Sequence, residues 1–465
     1  MKQLIEVKEF ESIICNKDYA DIDRFTCIEK KQFEELKLFI KEYAGTEENS
    51  DALDFMRIGY RRNIGDVISF KNYVGMIQLK NGFQIQVLPK IDFGFDEDKG
   101  NSDTKKLFLK MLRSMKDFPS KVFNDASLKV DRMNLYEIFI NMYLQETRQL
   151  VKHGLRSTYV EQEDNLRFYK GKLRVSAHIK ANLAHKERFY VLYEEFHQNI
   201  PENRLVKATL EKLQGITTSA ENSKEIRQLL MSFEMVETSK NYEKDFAKVV
   251  INRNTKDYDN LMKWSKVFLM NESFTTFSGS TNSRALLFPM ESVYESYVAR
   301  QMSRSLTPDG WNVSCQDRGK YLFSEPRRFA LRPDIVLRRG DRTVIMDTKW
   351  KNLFPNEGMN YGISQADMYQ MYAYSKKYHT PEIWLLYPNN RDMRGRADIR
   401  FYAKEGNTAE NNVSLRVWFV DLNNIESNFD QLKEELSKNY TGFEGELYYE
   451  TRRICYAGIN TEPSF

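Results

Sequence analysis

The chain has 465 residues, 41% hydrophobic and 29% charged, a balance that excludes a disordered chain and leaves room for two or three domains with separate cores. A net charge of +4 announces no polyanion partner, and no apolar run is long enough to cross a bilayer. Four scattered cysteines (Cys15, Cys27, Cys315, Cys455) with no C-x-x-C pair argue against a zinc site and a disulfide framework.

Met1 to Glu11 alternates apolar and charged residues without a signal-peptide core, so the expected location is the cytoplasm. Residues 1–130 read as a β-rich region with short helices. Within it, Tyr73 to Ile91 predicts a hairpin of two alternating runs with a two-residue turn at Asn81-Gly82, and Asp92 to Thr104 reads as a polar loop. Residues 131–274 read as helical and hairpin structure: a helix at Leu135–Val151, a β-like stretch at Leu166–Glu195 turning at Lys170-Gly171-Lys172, then helices from Pro201 to Met270. Val206, Leu210 and Leu213, then Ile226, Leu229, Leu230 and Phe233, then Leu261, Trp264 and Phe268 recur at helical spacing and are expected in the core.

Thr275 to Arg284, small and polar, predicts a linker and the main domain boundary. Residues 285–440 then follow an α/β order: a helix opened by Pro289, strands near Trp311–Asp317, Asp334–Arg338 and Thr343–Lys349, a helix at Ser364–Tyr378, strands at Glu382–Tyr387, Asp398–Tyr402 and Ser414–Asp421, and a helix at Ile425–Lys438. The expected fold is multidomain, α/β and α+β: a β-rich and helical N-terminal part, then a mixed sheet flanked by helices, with 441–465 as a C-terminal extension.

The segment Arg332–Lys351, RPDIVLRRGDRTVIMDTKWK, carries the chemistry. Two apolar runs joined by Arg339-Gly340-Asp341 put Asp334 at the root of one strand and Asp347 near the end of its neighbour. Alternation turns Asp347 and Lys349 to one face and Thr348 to the other. Charges at the ends of apolar strands need compensation, and Mg²⁺ supplies it: two carboxylates, with the Thr348 carbonyl as a further ligand, suffice for an ion that keeps several waters. Lys349 then stands beside the attacking water and the scissile phosphate. On the preceding helix Glu291 and Glu295 lie one turn apart, and Glu295 is the choice to complete or orient the site. Gln370 and Tyr374, also one turn apart, are candidates to steer substrate or the lysine, or else simply pack.

Two arginine clusters, Arg327, Arg328, Arg332, Arg338, Arg339 and Arg342, and then Arg391, Arg394, Arg396 and Arg400, suit phosphate neutralisation or an ion-paired surface. Lys180, Lys186, Arg188 and Arg204 are candidates for contacts to a partner or DNA, or for scaffold roles. No G-x-x-x-x-G-K-[ST] occurs, so the chain itself is expected to bind no nucleotide; the five histidines form neither H-x-E nor H-E-x-x-H.

FPMESVYESYV, RPDIVL, DTKWK and DMYQMYAYS, in that order and spacing, resemble the McrC family, the endonuclease subunits of McrBC-type restriction systems. Upstream, YVGMIQLKNGFQIQVLPKI, GKLRVSAHIKANL and ERFYVLYEEFHQNIPENRLVKATL are similar to that family's N-terminal region. The resemblance implies a restriction-endonuclease-like C-terminal domain of the PD-(D/E)xK type, with Asp334, Asp347 and Lys349 at the metal-binding and catalytic positions. It also implies an N-terminal part that docks on a McrB-like hexameric AAA+ GTPase, stimulates its GTP hydrolysis, and leaves modified-cytosine recognition on double-stranded DNA to that partner. Two rival readings are a stand-alone nuclease with the same metal site and a non-catalytic scaffold for an AAA+ ring.

Overall fold

The computed structural model describes residues 4–20, 22, 24–44, 55–90, 97–116, 118–119, 133–270, 284–394, 398–403 and 412–438. All of the expected linker Thr275–Arg284 except Arg284, which begins a strand, lies outside them, as do Arg396 and the extension 441–465. Two compact units divide the chain, Met1–Met290 and Glu291–Phe465.

In the first unit, one sheet runs in the order Leu4–Lys8, Gln84–Leu88, Tyr73–Gln78, Arg284–Pro289. Arg284–Pro289 thus pairs with Tyr73–Gln78, which joins it to the first unit instead of to the region that follows it in sequence. Gly75 makes that pairing possible: at φ 148°, a Cβ there would lie 1.9 Å from the Leu286 carbonyl oxygen. The hairpin expected over Tyr73–Ile91 is present as the strands Tyr73–Gln78 and Gln84–Leu88, but its turn is longer than two residues. Leu79 N–H donates to Phe83 O and Gly82 N–H to Leu79 O, and Gly82 has positive φ while Asn81 does not. The alternating glutamines of this hairpin do not face water either. Gln86 is fully buried, donating to Glu6 Oε1 at 2.7 Å and accepting from Leu135 N–H at 2.8 Å, so its amide is satisfied inside the fold.

A second sheet, Phe25–Cys27, Ser12–Ile14, Gly65–Phe70, Met56–Arg61, shares one core with the helix Lys30–Ala44. Phe33, Leu36, Phe39 and Ile40, at i, i+3, i+6 and i+7 on one face of an amphipathic helix, meet Ile13, Ile68, Ile77 and Ile85 there. The expected loop Asp92–Thr104 is corrected from Glu97 onward: Glu97–Leu112 is a helix whose C-terminal turns bury Phe108, Leu109 and Leu112. The polar first turns concealed its start. The expected β-like stretch Leu166–Glu195 likewise contains a helix, Val175–Ala181, between the antiparallel strands Thr158–Leu166 and Phe189–His197. Helices Leu135–His153, Pro201–Gln214, Ala220–Ser232 and Asp259–Met270 bury the predicted stripes, with Trp264 stacked on Phe268; Leu230 is the one member left half-buried.

The second unit is built on a six-stranded mixed sheet in the order Asn312–Cys315, Ile335–Arg339, Arg342–Thr348, Glu382–Pro388, Val413–Val420, Ile399–Ala403. The central three strands are mutually parallel, and both flanks are antiparallel. Parallel neighbours need a crossover, and the helix Gln365–Tyr378 supplies it between Arg342–Thr348 and Glu382–Pro388. Ser364 caps that helix, accepting from Asp367 N–H at 3.1 Å. Met371, Tyr374 and Tyr378 pack it onto Val336, Ile345, Ile383, Leu385 and Val417 of the sheet. Glu382–Pro388 is buried throughout, as a central strand covered on both faces must be. Unforeseen by the sequence reading is a small separate ribbon, Tyr321–Ser324 against Arg327–Ala330.

Candidate active site

The pairing Ile335 with Met346 closes the ladder between the two motif strands, and one step further along the same register Asp334 stands across from Asp347. The structure therefore brings the two predicted carboxylates together at one sheet end, with Lys349 beside them. Lys349 Nζ lies 2.6 Å from Asp347 Oδ2 and 3.7 Å from Asp367 Oδ1, and it donates to Gln370 Oε1 at 3.2 Å. Gln370 Nε2 in turn donates to the Tyr374 hydroxyl at 2.8 Å. The one-turn spacing of Gln370 and Tyr374 thus serves the lysine: Tyr374 fixes the amide that fixes the ammonium.

Thr348 departs from the simple alternation argument. Its main-chain N–H and its hydroxyl both donate to Asp334 Oδ2, at 2.7 and 2.6 Å, so its side chain orients the first carboxylate. Glu295 faces the same group of charges, and the Gln316 side-chain amide donates to its Oε1. Glu291 sits exposed one turn earlier.

Electrostatics in the cluster follow from burial. Asp347 is 2% exposed, and burial together with Asp334 pushes its carboxyl up to about 7, against the pull of Lys349. Burial and Asp334 likewise raise Glu295 to about 7. Asp334 is raised by burial in spite of its two bonds from Thr348. For Lys349, burial favours the neutral amine, but Asp347, Asp367 and Asp334 outweigh it and hold the pKa above that of a free lysine. The sequence alone left this protonation state open.

These residues fit a hard divalent cation. The donor set is all oxygen, three carboxyls resist ionising together, and Lys349, 2.6 Å from Asp347 Oδ2, offsets only part of that repulsion. Among the described residues, no three His, Cys, Asp or Glu side chains form a preformed metal cage. The fit is therefore to a two-carboxylate site at Asp334 and Asp347, the set expected for an ion that retains water.

Two residues of the site escaped the sequence reading. Asp367 is an acid in the first turn of a capped helix and reads there as ordinary capping. Gln316 lies on the far side of the ribbon in sequence, and the pairing of Cys315 with Ile335, continued by the bond from Gln316 N–H to Asp334 O at 2.9 Å, brings it back. Some predicted contact residues turn out to serve the fold. Arg204 clasps Asp245 at 2.7 Å, Arg338 clasps Asp317 at 2.8 Å, and Arg342 pairs with Glu382 at 2.9 Å.

No curated protein matches the chain. A chain in the refined half-complex from the tetradecameric assembly of Thermococcus gammatolerans McrB AAA+ hexamers with bound McrC is similar in structure: TM-score 0.68, 21% identity, 93% of this chain and 100% of that one covered. A chain of the Thermococcus gammatolerans McrBC complex aligns at TM-score 0.49 and 21% identity over 65% of this chain and 88% of that one. No described helix is long and apolar enough to cross a membrane. The model of the McrBC 5-methylcytosine restriction system component matches residues 68–388, and the chain belongs to that family, as its motifs indicated.

Proposed function

We propose that this chain is the Mg²⁺-dependent DNA endonuclease subunit of a GTP-dependent restriction complex directed at modified cytosine, working with a McrB-like hexameric AAA+ GTPase whose hydrolysis it stimulates. The observation that carries the reading is the meeting of Asp334, Asp347 and Lys349 at one sheet end, with Glu295 facing them. Family membership supports the restriction role, and McrC bound to McrB AAA+ hexamers in the Thermococcus assembly supports the partner.

Asp334 and Asp347 would hold the metal, with the Thr348 carbonyl as a further ligand. When bound, Mg²⁺ supplies Lewis acidity: it acidifies a water and stabilises charge on the phosphoryl oxygens. The chain's own residues prepare that site. Thr348 fixes the rotamer of Asp334 through two hydrogen bonds. Lys349, kept cationic by its carboxylate neighbours and aimed by Gln370, binds the scissile phosphate and orients the nucleophile. Glu295, held by Gln316, faces the two carboxylates and is placed to orient water at the metal site.

The test is reconstitution with a co-expressed McrB-like GTPase on methylated and unmethylated plasmid. Cutting should need both proteins, Mg²⁺ and GTP, and Asp347→Ala should abolish it while GTPase stimulation persists. Robust cutting by the chain and Mg²⁺ alone would establish a stand-alone nuclease; unaltered cutting by Asp347→Ala would leave a scaffold.

A further inference from the structure

The ribbon Tyr321–Ser324/Arg327–Ala330 has no counterpart in the packing logic of its unit. Its two strands are almost wholly outside the core, with Phe323 at 56% and Phe329 at 71% exposure, their rings 5.9 Å apart in an edge contact. Phe329 also sits at φ 56°, a left-handed conformation that strains a bulky residue and that no burial of its ring offsets. An isolated two-stranded ribbon is marginal in water, so these apolar residues contribute little to folding.

Charge gives the ribbon a direction. Arg318, Lys320, Arg327, Arg328 and Arg332 are all exposed, and among the described residues none makes an ion pair; Glu325 is the one acid between Arg318 and Arg332. The larger arginine cluster read from the sequence therefore divides. Arg338 and Arg342 are consumed by Asp317 and Glu382, while Arg327, Arg328 and Arg332 remain available.

Position ties the ribbon to the carboxylates. The excursion leaves the sheet at Gln316, which bonds Glu295, and returns at Asp334; Gln316 N–H donates to Asp334 O, and Leu331 N–H to Lys320 O, at 2.9 Å each. Strands of four residues span roughly 13 Å, a length that suits a DNA groove roughly 12 Å wide.

We infer that this ribbon is a DNA-engaging arm: Arg327 and Arg328 grip the phosphates flanking the scissile bond, and Phe329, with Phe323 behind it, presses an apolar wedge into the groove of a duplex. The inference rests on the nuclease reading and deepens it by naming the residues that hold the substrate.

The experiment titrates a short fluorescent DNA duplex with the full chain in EDTA, over a series of salt concentrations, for wild type, Arg327→Ala/Arg328→Ala, Phe329→Ala and Asp347→Asn. The double arginine variant should bind at least about tenfold more weakly at moderate salt, with the slope of log affinity against log salt shallower by about 2. Phe329→Ala should lose affinity at every salt concentration with an unchanged slope. Both should keep the wild-type unfolding midpoint, since the ribbon lies outside the core. Failure of the wild-type chain to bind duplex, or wild-type affinity and slope in the double variant, overturns the inference. So does a double variant that keeps its DNA affinity but no longer stimulates the partner GTPase, which would make the ribbon a protein contact. Asp347→Asn separates the two readings: it should bind duplex in the titration yet leave the complex reconstituted with the partner GTPase, Mg²⁺ and GTP unable to cut, and if that complex cuts normally the nuclease reading fails whatever the ribbon does.

Discussion

Asp334 Oδ2 accepts two hydrogen bonds from a single residue, the N–H and the hydroxyl of Thr348. The intervening residue of D-T-K is therefore part of the site. Thr348→Val preserves shape and removes one donor from a half-buried carboxylate, so metal-dependent cutting should fall about 10–100-fold. Thr348→Ser, which keeps the hydroxyl, should restore most of it. Equal rates for Val and Ser variants would refute the orienting role.

Lys349 is held by an acid on its own strand and an amide on the crossover helix. Lys349→Ala should reduce cutting by about 10²–10³-fold, the typical cost of losing one group that stabilises transition-state charge. Gln370→Ala leaves the ammonium present but less constrained and should cost about tenfold. Tyr374→Phe, acting through Gln370, should follow in the same direction with a smaller effect. Single-turnover cleavage by the reconstituted complex measures all three.

Asp347 has a folded-state pKa of about 7, above its unfolded value near 3.9. Between about pH 4 and pH 7 the unfolded chain has released this proton while the folded one retains it, so stability falls as pH rises through that window and levels off above it. Without divalent cations, wild type should therefore lose unfolding midpoint from pH 5 to pH 8 relative to Asp347→Asn, whose side chain does not titrate. Mg²⁺ at pH 8 should restore several degrees to wild type and leave Asp347→Asn unmoved. An equal Mg²⁺ shift in both proteins would place the ion elsewhere.

In the first unit, the ion pair Arg204–Asp245 is nearly enclosed, with Ser239 Oγ donating to the same carboxylate at 2.7 Å. Burial raises the Asp245 carboxyl, but the bonds from Arg204 and Ser239 outweigh it and hold the pKa below the usual range. Its contribution is thus complete above the unfolded pKa and is lost as pH falls through the folded one. Asp245→Asn should cost about 3 kcal/mol at pH 7, and the gap to wild type should narrow toward pH 3. Denaturant unfolding at the two pH values tests this.

Local patterning settled much of this protein in advance. The apolar runs around Asp334 and Asp347, the glycine turn between them and the stripes of the helical region are properties of consecutive residues, and period-2 and period-3.6 spacing suffices to read them. Where sequence-local rules failed, a distant partner had overridden them. Gln86 alternates like a solvent-facing residue, yet it is buried because Glu6 and Leu135 satisfy its amide. Arg284–Pro289 joins the first unit because Gly75 lets its backbone approach. The acid–acid–lysine set was legible because its members lie within 16 residues of one another, on adjoining strands. Asp367, Gln316 and the division of the arginines into paired and free were not, since each depends on which side chain the folded sheet brings opposite, and only tertiary contacts decide that.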